Sequence, residues 1–244
     1  MNIVALYKWA RDPEDAAVRA DGSVDWRGAK MAAGEDDPAV LVAAQTIVAA
    51  SGGRVVGLTI GDGDATWALA RGVESSVTVP DAPFFADQAA TARVLAAAID
   101  AMGDVDAIVI GDAEGYPGVA PALAGVLGWP VLLGVGTATA DGGRLVATRR
   151  VGDSEQTVSL GTPAVLGVAA AGSEKQTPGM KEVLAARRRP VTAMPMAELG
   201  LEPANDLETR TSRVPVSGSA RIFDGDATSA ATTLVAALRA DGVL

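Results

Sequence analysis

The sequence predicts an α/β fold built on a mostly parallel sheet, with an antiparallel extension and a C-terminal arm. Three observations lead there. Through the first half of the chain, short apolar runs alternate with longer alanine-rich stretches. After Pro130, single apolar and polar residues alternate instead, and over residues 202–223 periodicity fades among scattered Pro, Ser and Thr. Strands separated by helix-length segments imply right-handed crossovers between parallel neighbours, whereas strict alternation marks half-exposed antiparallel strands.

Taken in order, residues 3–7 read as a buried strand and residues 37–50 as a helix that Ser51-Gly52-Gly53 ends. Residues 54–60 form a second buried strand, followed by Gly61-Asp62-Gly63-Asp64 and a helix over 65–71. A short strand at 76–79 precedes a helix over 87–101; a strand at 107–110, a loop at 111–115 and a helix over 117–127 follow. Residues 144–151 and 156–160 alternate as an antiparallel pair around Gly152-Asp153-Ser154, and 163–168 is another buried strand. A polar loop over 170–179 leads through a short helical run into Arg187-Arg188-Arg189-Pro190, and residues 226–238 close the chain as an amphipathic helix. The expected organisation is one α/β domain over 1–201 and an arm over 202–244 that wraps a partner or stays poorly ordered.

Composition narrows the function. The 244 residues are 49% hydrophobic and 20% charged, which is globular composition. A net charge of −10, with 30 acidic against 20 basic residues, opposes duplex nucleic-acid binding, which needs a basic face. Cysteine and histidine are absent. That removes disulfides, thiolate nucleophiles, the usual near-neutral acid–base group and the softer metal sites, leaving carboxylates for magnesium. The apolar N-terminus lacks a basic leader, and no apolar run reaches the ~18 residues of a membrane span. The expectation is a soluble, cytoplasmic protein without membrane insertion.

Ile60-Gly61-Asp62 and Ile110-Gly111-Asp112 both stand where a strand gives way to a loop before a helix. Two glycine turns at that edge of a parallel sheet make a crevice for a phosphate or adenosine; equally, they are ordinary turn residues. Gly61-Asp62-Gly63-Asp64-Ala65-Thr66 lacks the third glycine of a dinucleotide fingerprint, and Ser51-Gly52-Gly53-Arg54 precedes a strand, as a helix C-cap would. Trp129-Pro130 reads as a packed turn. Arg149-Arg150 and Arg187-Arg188-Arg189 read as solvated charges, or else as partners of a phosphate or an acidic protein. Met180 either caps the core or, if exposed, anchors another protein.

Several of these segments together resemble the beta subunit family of electron transfer flavoproteins, the group that includes the FixA-type proteins. Gln156-x-Val158-x-x-x-x-Pro163-x-Val165-Leu166 is similar to the core of that family's signature, with Arg149 at its basic position. Residues 174–191 resemble its recognition-loop segment, Leu127-Gly128-Trp129-Pro130 its Leu-x-Trp-Pro, and Tyr7-Lys8 the end of its first strand. The resemblance implies an adenine-nucleotide-hydrolase-like, Rossmann-like sheet. It also implies a heterodimer with a larger alpha subunit, whose FAD passes electrons from acyl-CoA-type or other dehydrogenases to a quinone oxidoreductase or another acceptor. The chain would then be no enzyme by itself.

In this family the beta subunit holds AMP, or a second FAD in electron-bifurcating members. The resemblance lays that nucleotide against Leu6, Tyr7, Lys8, Gly61, Gly111, Asp112, Gly118, Val119 and Ala120. It assigns partner docking to Met180, ringed by Glu174, Lys175 and Lys181. A phosphate at the helix after Pro117 would meet the unpaired amides of Gly118, Val119 and Ala120, with Pro117 as the first helical residue. The chain departs from the pattern here. Its loop from Gly111 to Pro117 is shorter, Val119 replaces a hydroxyl residue and Glu114 adds a negative charge. These changes weaken AMP or FAD binding and leave a paralogue with altered nucleotide binding as an alternative. Two other readings compete. A stand-alone universal-stress-type nucleotide module predicts a homodimer and leaves residues 145–189 unexplained. An adenylate enzyme needs a phosphate loop and a general base, neither of which is visible.

Overall fold

Alternation along β1 (Asn2–Leu6) already sets the architecture, because its side chains enter two different cores. Ile3 and Ala5 pack on one face of the sheet; Val4 and Leu6 pack on the other. A strand buried on both faces belongs in the middle of a parallel sheet covered by two helix layers. The computed structural model describes residues 1–61, 63–82, 87–112, 116–169, 177–202, 207, 210–211, 213–214 and 220–244.

The other strands of the sheet are β2 (Arg54–Ile60), β3 (Ser75–Val79), β4 (Ala107–Gly111), β5 (Val131–Asp141), β6 (Arg144–Val151), β7 (Ser154–Leu160), β8 (Ala164–Val168) and β9 (Val191–Ala193). Among the described residues these nine form one sheet in the order β7-β6-β5-β8-β4-β1-β2-β3-β9. Pairing is parallel from β5 to β9 and antiparallel through β5-β6-β7. The α/β class, the parallel centre and the antiparallel extension thus agree with the sequence.

The helices are α1 (Asp37–Ser51), α2 (Ala65–Leu69), α3 (Gln88–Met102), α4 (Val119–Leu127), α5 (Met180–Ala186) and α6 (Ala227–Ala240). Helices α1 and α2 cover one face, with Val40, Ala44 and Ile47 against Ala107, Val109 and Leu166. Helices α3 and α4 cover the other, with Leu95, Ile99 and Leu123 against Val4, Leu58 and Ile108. Aspartates begin three helices: Asp64, Asp87 and Asp226 each accept hydrogen bonds from first-turn amides. None of the described helices is long and apolar enough to cross a membrane.

Contacts divide the chain into two compact units, Met1–Ala17 with Val24–Arg210, and Val18–Ser23 with Thr211–Leu244. The first holds the sheet and α1–α5. The second holds α6, which buries none of its residues and leaves Leu234 and Val235 exposed.

Four features differ from the sequence expectations. Strand β5 was hidden because Gly134 adopts φ 68° and the register slips between Leu166 and Val168, so the alternation breaks midway. A short ribbon, Trp9–Arg11 paired with Met31–Ala33, follows β1. Helix α4 starts at Val119 with Gly118 as its N-cap, so Pro117 lies outside the helix. Arg189 is not a solvated charge: its guanidinium donates to the carbonyls of Leu69, at 3.1 Å, and Val73. It thereby ties the last carbonyl of α2 to the turn that precedes β3. Arg189→Ala is expected to cost about 1–3 kcal/mol by leaving the Val73 carbonyl without its donor, while the Leu69 carbonyl keeps the Gly72 amide at 3.3 Å. Urea unfolding checks this, and an unchanged midpoint would show that water replaces the guanidinium.

Candidate functional site

In an open parallel sheet the ligand crevice lies beyond the carboxyl ends of the strands, where the chain switches from one helix layer to the other. That point here is β1 beside β4. Strand β1 leads on to α1 on one face, while β4 leads into α4 on the opposite face. Gly61 and Gly111 end the strands on either side of β1, as the sequence echo suggested.

The structure distributes the candidate residues unevenly around this edge. Leu6 is buried in the α3/α4 core. Tyr7 points the other way: its ring stacks on Trp67 with centroids 5.4 Å apart, and its hydroxyl lies 3.3 Å from the Ser76 Oγ. Burial pushes the Tyr7 phenol up to about 12. Lys8, just beyond β1, places its Nζ 4.0 Å from the centroid of the Tyr116 ring. The Gly61 amide donates to the Val79 carbonyl at 2.9 Å. Gly111 is a close-approach glycine, since a Cβ there would lie 2.9 Å from the Asp36 Cβ. Asp112 turns towards the sheet, where its Oδ2 accepts from the Gly134 amide at 2.7 Å and holds the irregular turn of β5.

The first turn of α4 is largely occupied. The Gly118 amide donates to the Gln88 Oε1 at 2.5 Å, and the Val119 amide donates to the Tyr116 carbonyl at 3.2 Å. Val119 and Ala120 are buried beneath that turn. Two of the three amides expected to meet a phosphate therefore already have acceptors. A nucleotide phosphate does not fit this arrangement as it stands, because it would have to displace the Gln88 carboxamide oxygen.

Carboxylates crowd the same edge. Asp37, 5% exposed at the start of α1, accepts through its Oδ2 from the Lys8 amide at 2.9 Å and the Gly34 amide at 2.6 Å. Burial pushes the Asp37 carboxyl up to about 7, with nearby Asp36 adding to it; the two amides and Lys8 oppose the rise. A proton held more tightly in the folded state stabilises the fold at low pH, and that contribution is lost as pH rises through about 7. Asp37→Asn keeps an oxygen acceptor without the charge. It is expected to be about 1–3 kcal/mol more stable than the natural chain at pH 8, with the gap closing below about pH 4. Denaturant midpoints across pH measure this; a less stable Asn variant at pH 8 would show that the charged acceptor stabilises the fold.

Of the residues expected to dock a partner, Met180 is 75% exposed at the start of α5, and Lys181 beside it is exposed too. Glu174 and Lys175 lie outside the described residues. A cavity of about 370 Å³ opens next to this helix, lined by Arg71, Thr177, Pro178, Gly179 and Glu182 among others. Sequence reasoning did not single out Tyr116, Gln88, Asp36 or Asp37 as crevice residues. Only Asp37 gave a signal, as an acidic residue leading a helix. Among the described residues no cluster of acidic side chains could hold a metal ion.

The family model described as electron transfer flavoprotein domain matches residues 27–199, more than two thirds of the chain. The match takes in β2–β9 and α1–α5, and with them every residue described above at the sheet edge and on α5 except those at the end of β1. The chain belongs to the electron transfer flavoprotein domain family.

Proposed function

We propose that the chain is the beta-type subunit of a heterodimeric electron transfer flavoprotein. In this reading it pairs with an alpha subunit that carries most of the FAD contacts, and the bound FAD supplies one- and two-electron chemistry. Electrons arrive from an acyl-CoA-type or other dehydrogenase and leave to a separate acceptor. This chain's own contribution is to form part of the protein shell around the partner's flavin and to present a docking surface.

The observation that carries the reading is the exposed Met180, which leads α5 inside the family-matched segment. A large apolar side chain exposed beside charged neighbours gives modest affinity and quick release, which suits a carrier serving more than one partner. The stand-alone nucleotide module leaves residues 145–189 without a role, although that segment lies within the family match. The test is rapid mixing of the complex with a reduced dehydrogenase. Bleaching of the flavin absorbance at a rate that rises with dehydrogenase concentration supports the proposal. A flavin that stays oxidised with every candidate donor contradicts it.

A further inference from the structure

Resting on that reading, we infer that this subunit holds no adenine nucleotide at its crevice, because its own side chains fill the positions a nucleotide would take. Two contacts carry the inference. The Gln88 Oε1 accepts from the Gly118 amide at 2.5 Å, so an amide oxygen from α3 stands where a phosphate oxygen would accept at the start of α4. Gly118 also approaches Gln88 so closely that a Cβ at 118 would meet its Oε1 at 2.6 Å, so the carboxamide is seated in the gap between α3 and α4. Across the crevice, Lys8 lies over the Tyr116 ring at 4.0 Å, which commits the cation facing α4 to an aromatic face.

The charges around these contacts act in the same direction. Asp36 packs against Gly111, Asp37 is buried beneath the Lys8 amide and Asp112 bonds to β5, so three carboxylates surround the end of β4 and the start of α1. Helix N-termini attract anions when their amides are open and cations are near. Here the Val119 amide is also taken, by the Tyr116 carbonyl, and Asp36 and Asp112 add acidic groups beside it that disfavour a further anion. Gln88 and the Lys8–Tyr116 pair therefore do the structural task of a nucleotide, closing α4 against α3 and β1 without one.

The test counts adenine. The full chain, with whatever alpha subunit accompanies it, is purified in the presence of AMP, freed of excess ligand and heated, and released adenine and flavin are quantified. Adenine beyond that contained in FAD is expected to be near zero per copy of this chain. A value near one per copy overturns the inference. The subtraction works equally for a flavin-free preparation, so loss of the heterodimer reading is seen separately, as an absence of flavin and partner. A second arm uses the double variant Gln88→Ala with Tyr116→Ala, titrated with AMP by equilibrium dialysis. Freeing one amide and Lys8 is expected to raise AMP affinity about tenfold or more over the natural chain, the worth of one charge-assisted hydrogen bond. A folded double variant that binds no better contradicts the assignment to these side chains.

Discussion

Met180→Asp is expected to slow flavin reduction by a partner dehydrogenase about a hundredfold, with the fold unaffected. The side chain is 75% exposed at the first position of α5, so replacing it removes almost no internal packing. An acidic residue in the first helical turn also agrees with the helix dipole. What it removes is the proposed apolar anchor, and anchors at the centre of an interface cost about 2–4 kcal/mol when lost, of which about 2.7 is a hundredfold. Second-order rate constants at low dehydrogenase concentration measure the effect, and thermal unfolding provides the control. An unchanged rate with unchanged stability would move the docking surface elsewhere.

The second large effect falls on stability. Ile108→Ala is expected to cost about 3–4 kcal/mol, a large share of the 5–15 kcal/mol that holds a typical domain. Ile108 is fully buried in the middle of β4, which pairs with both β1 and β8, and it packs in the core beneath α3 and α4. No exposed neighbour can collapse into the space, because helices cover that face of the sheet. The denaturant midpoint reports the loss. A cost under about 1 kcal/mol would mean that α3 and α4 repack freely over the sheet.

Much of the fold could be read from the chain because local and tertiary demands coincide. Strands β1, β2 and β4 are short, largely apolar runs, with glycine at the carboxyl ends of β2 and β4, and α1 and α3 carry wide apolar stripes that meet them. The β6–β7 hairpin was legible from its turn, where Gly152 adopts φ 58° between two alternating strands. Strand β5 was not, since its irregular turn at Gly134 depends on Asp112, 22 positions away in sequence. At the candidate site the glycine turns at 61 and 111 fall on either side of β1, as the sequence echo suggested. The contacts around them come from pairs that no local pattern announces. Gln88 and Gly118 are 30 positions apart, and Lys8 meets Tyr116 only because β1 and β4 are neighbours. Arg189 was misjudged for the same reason: a basic triplet looks solvated until α2 is folded beneath it. Met180 stood open between core and surface, and its exposure decides for the surface.

The most direct test of the central claim is co-expression of this chain with a candidate alpha subunit, followed by the mass and absorption spectrum of the purified species. A yellow 1:1 heterodimer with one FAD per pair is the expected result. A colourless homodimer that binds ATP would contradict it and favour a stand-alone nucleotide module.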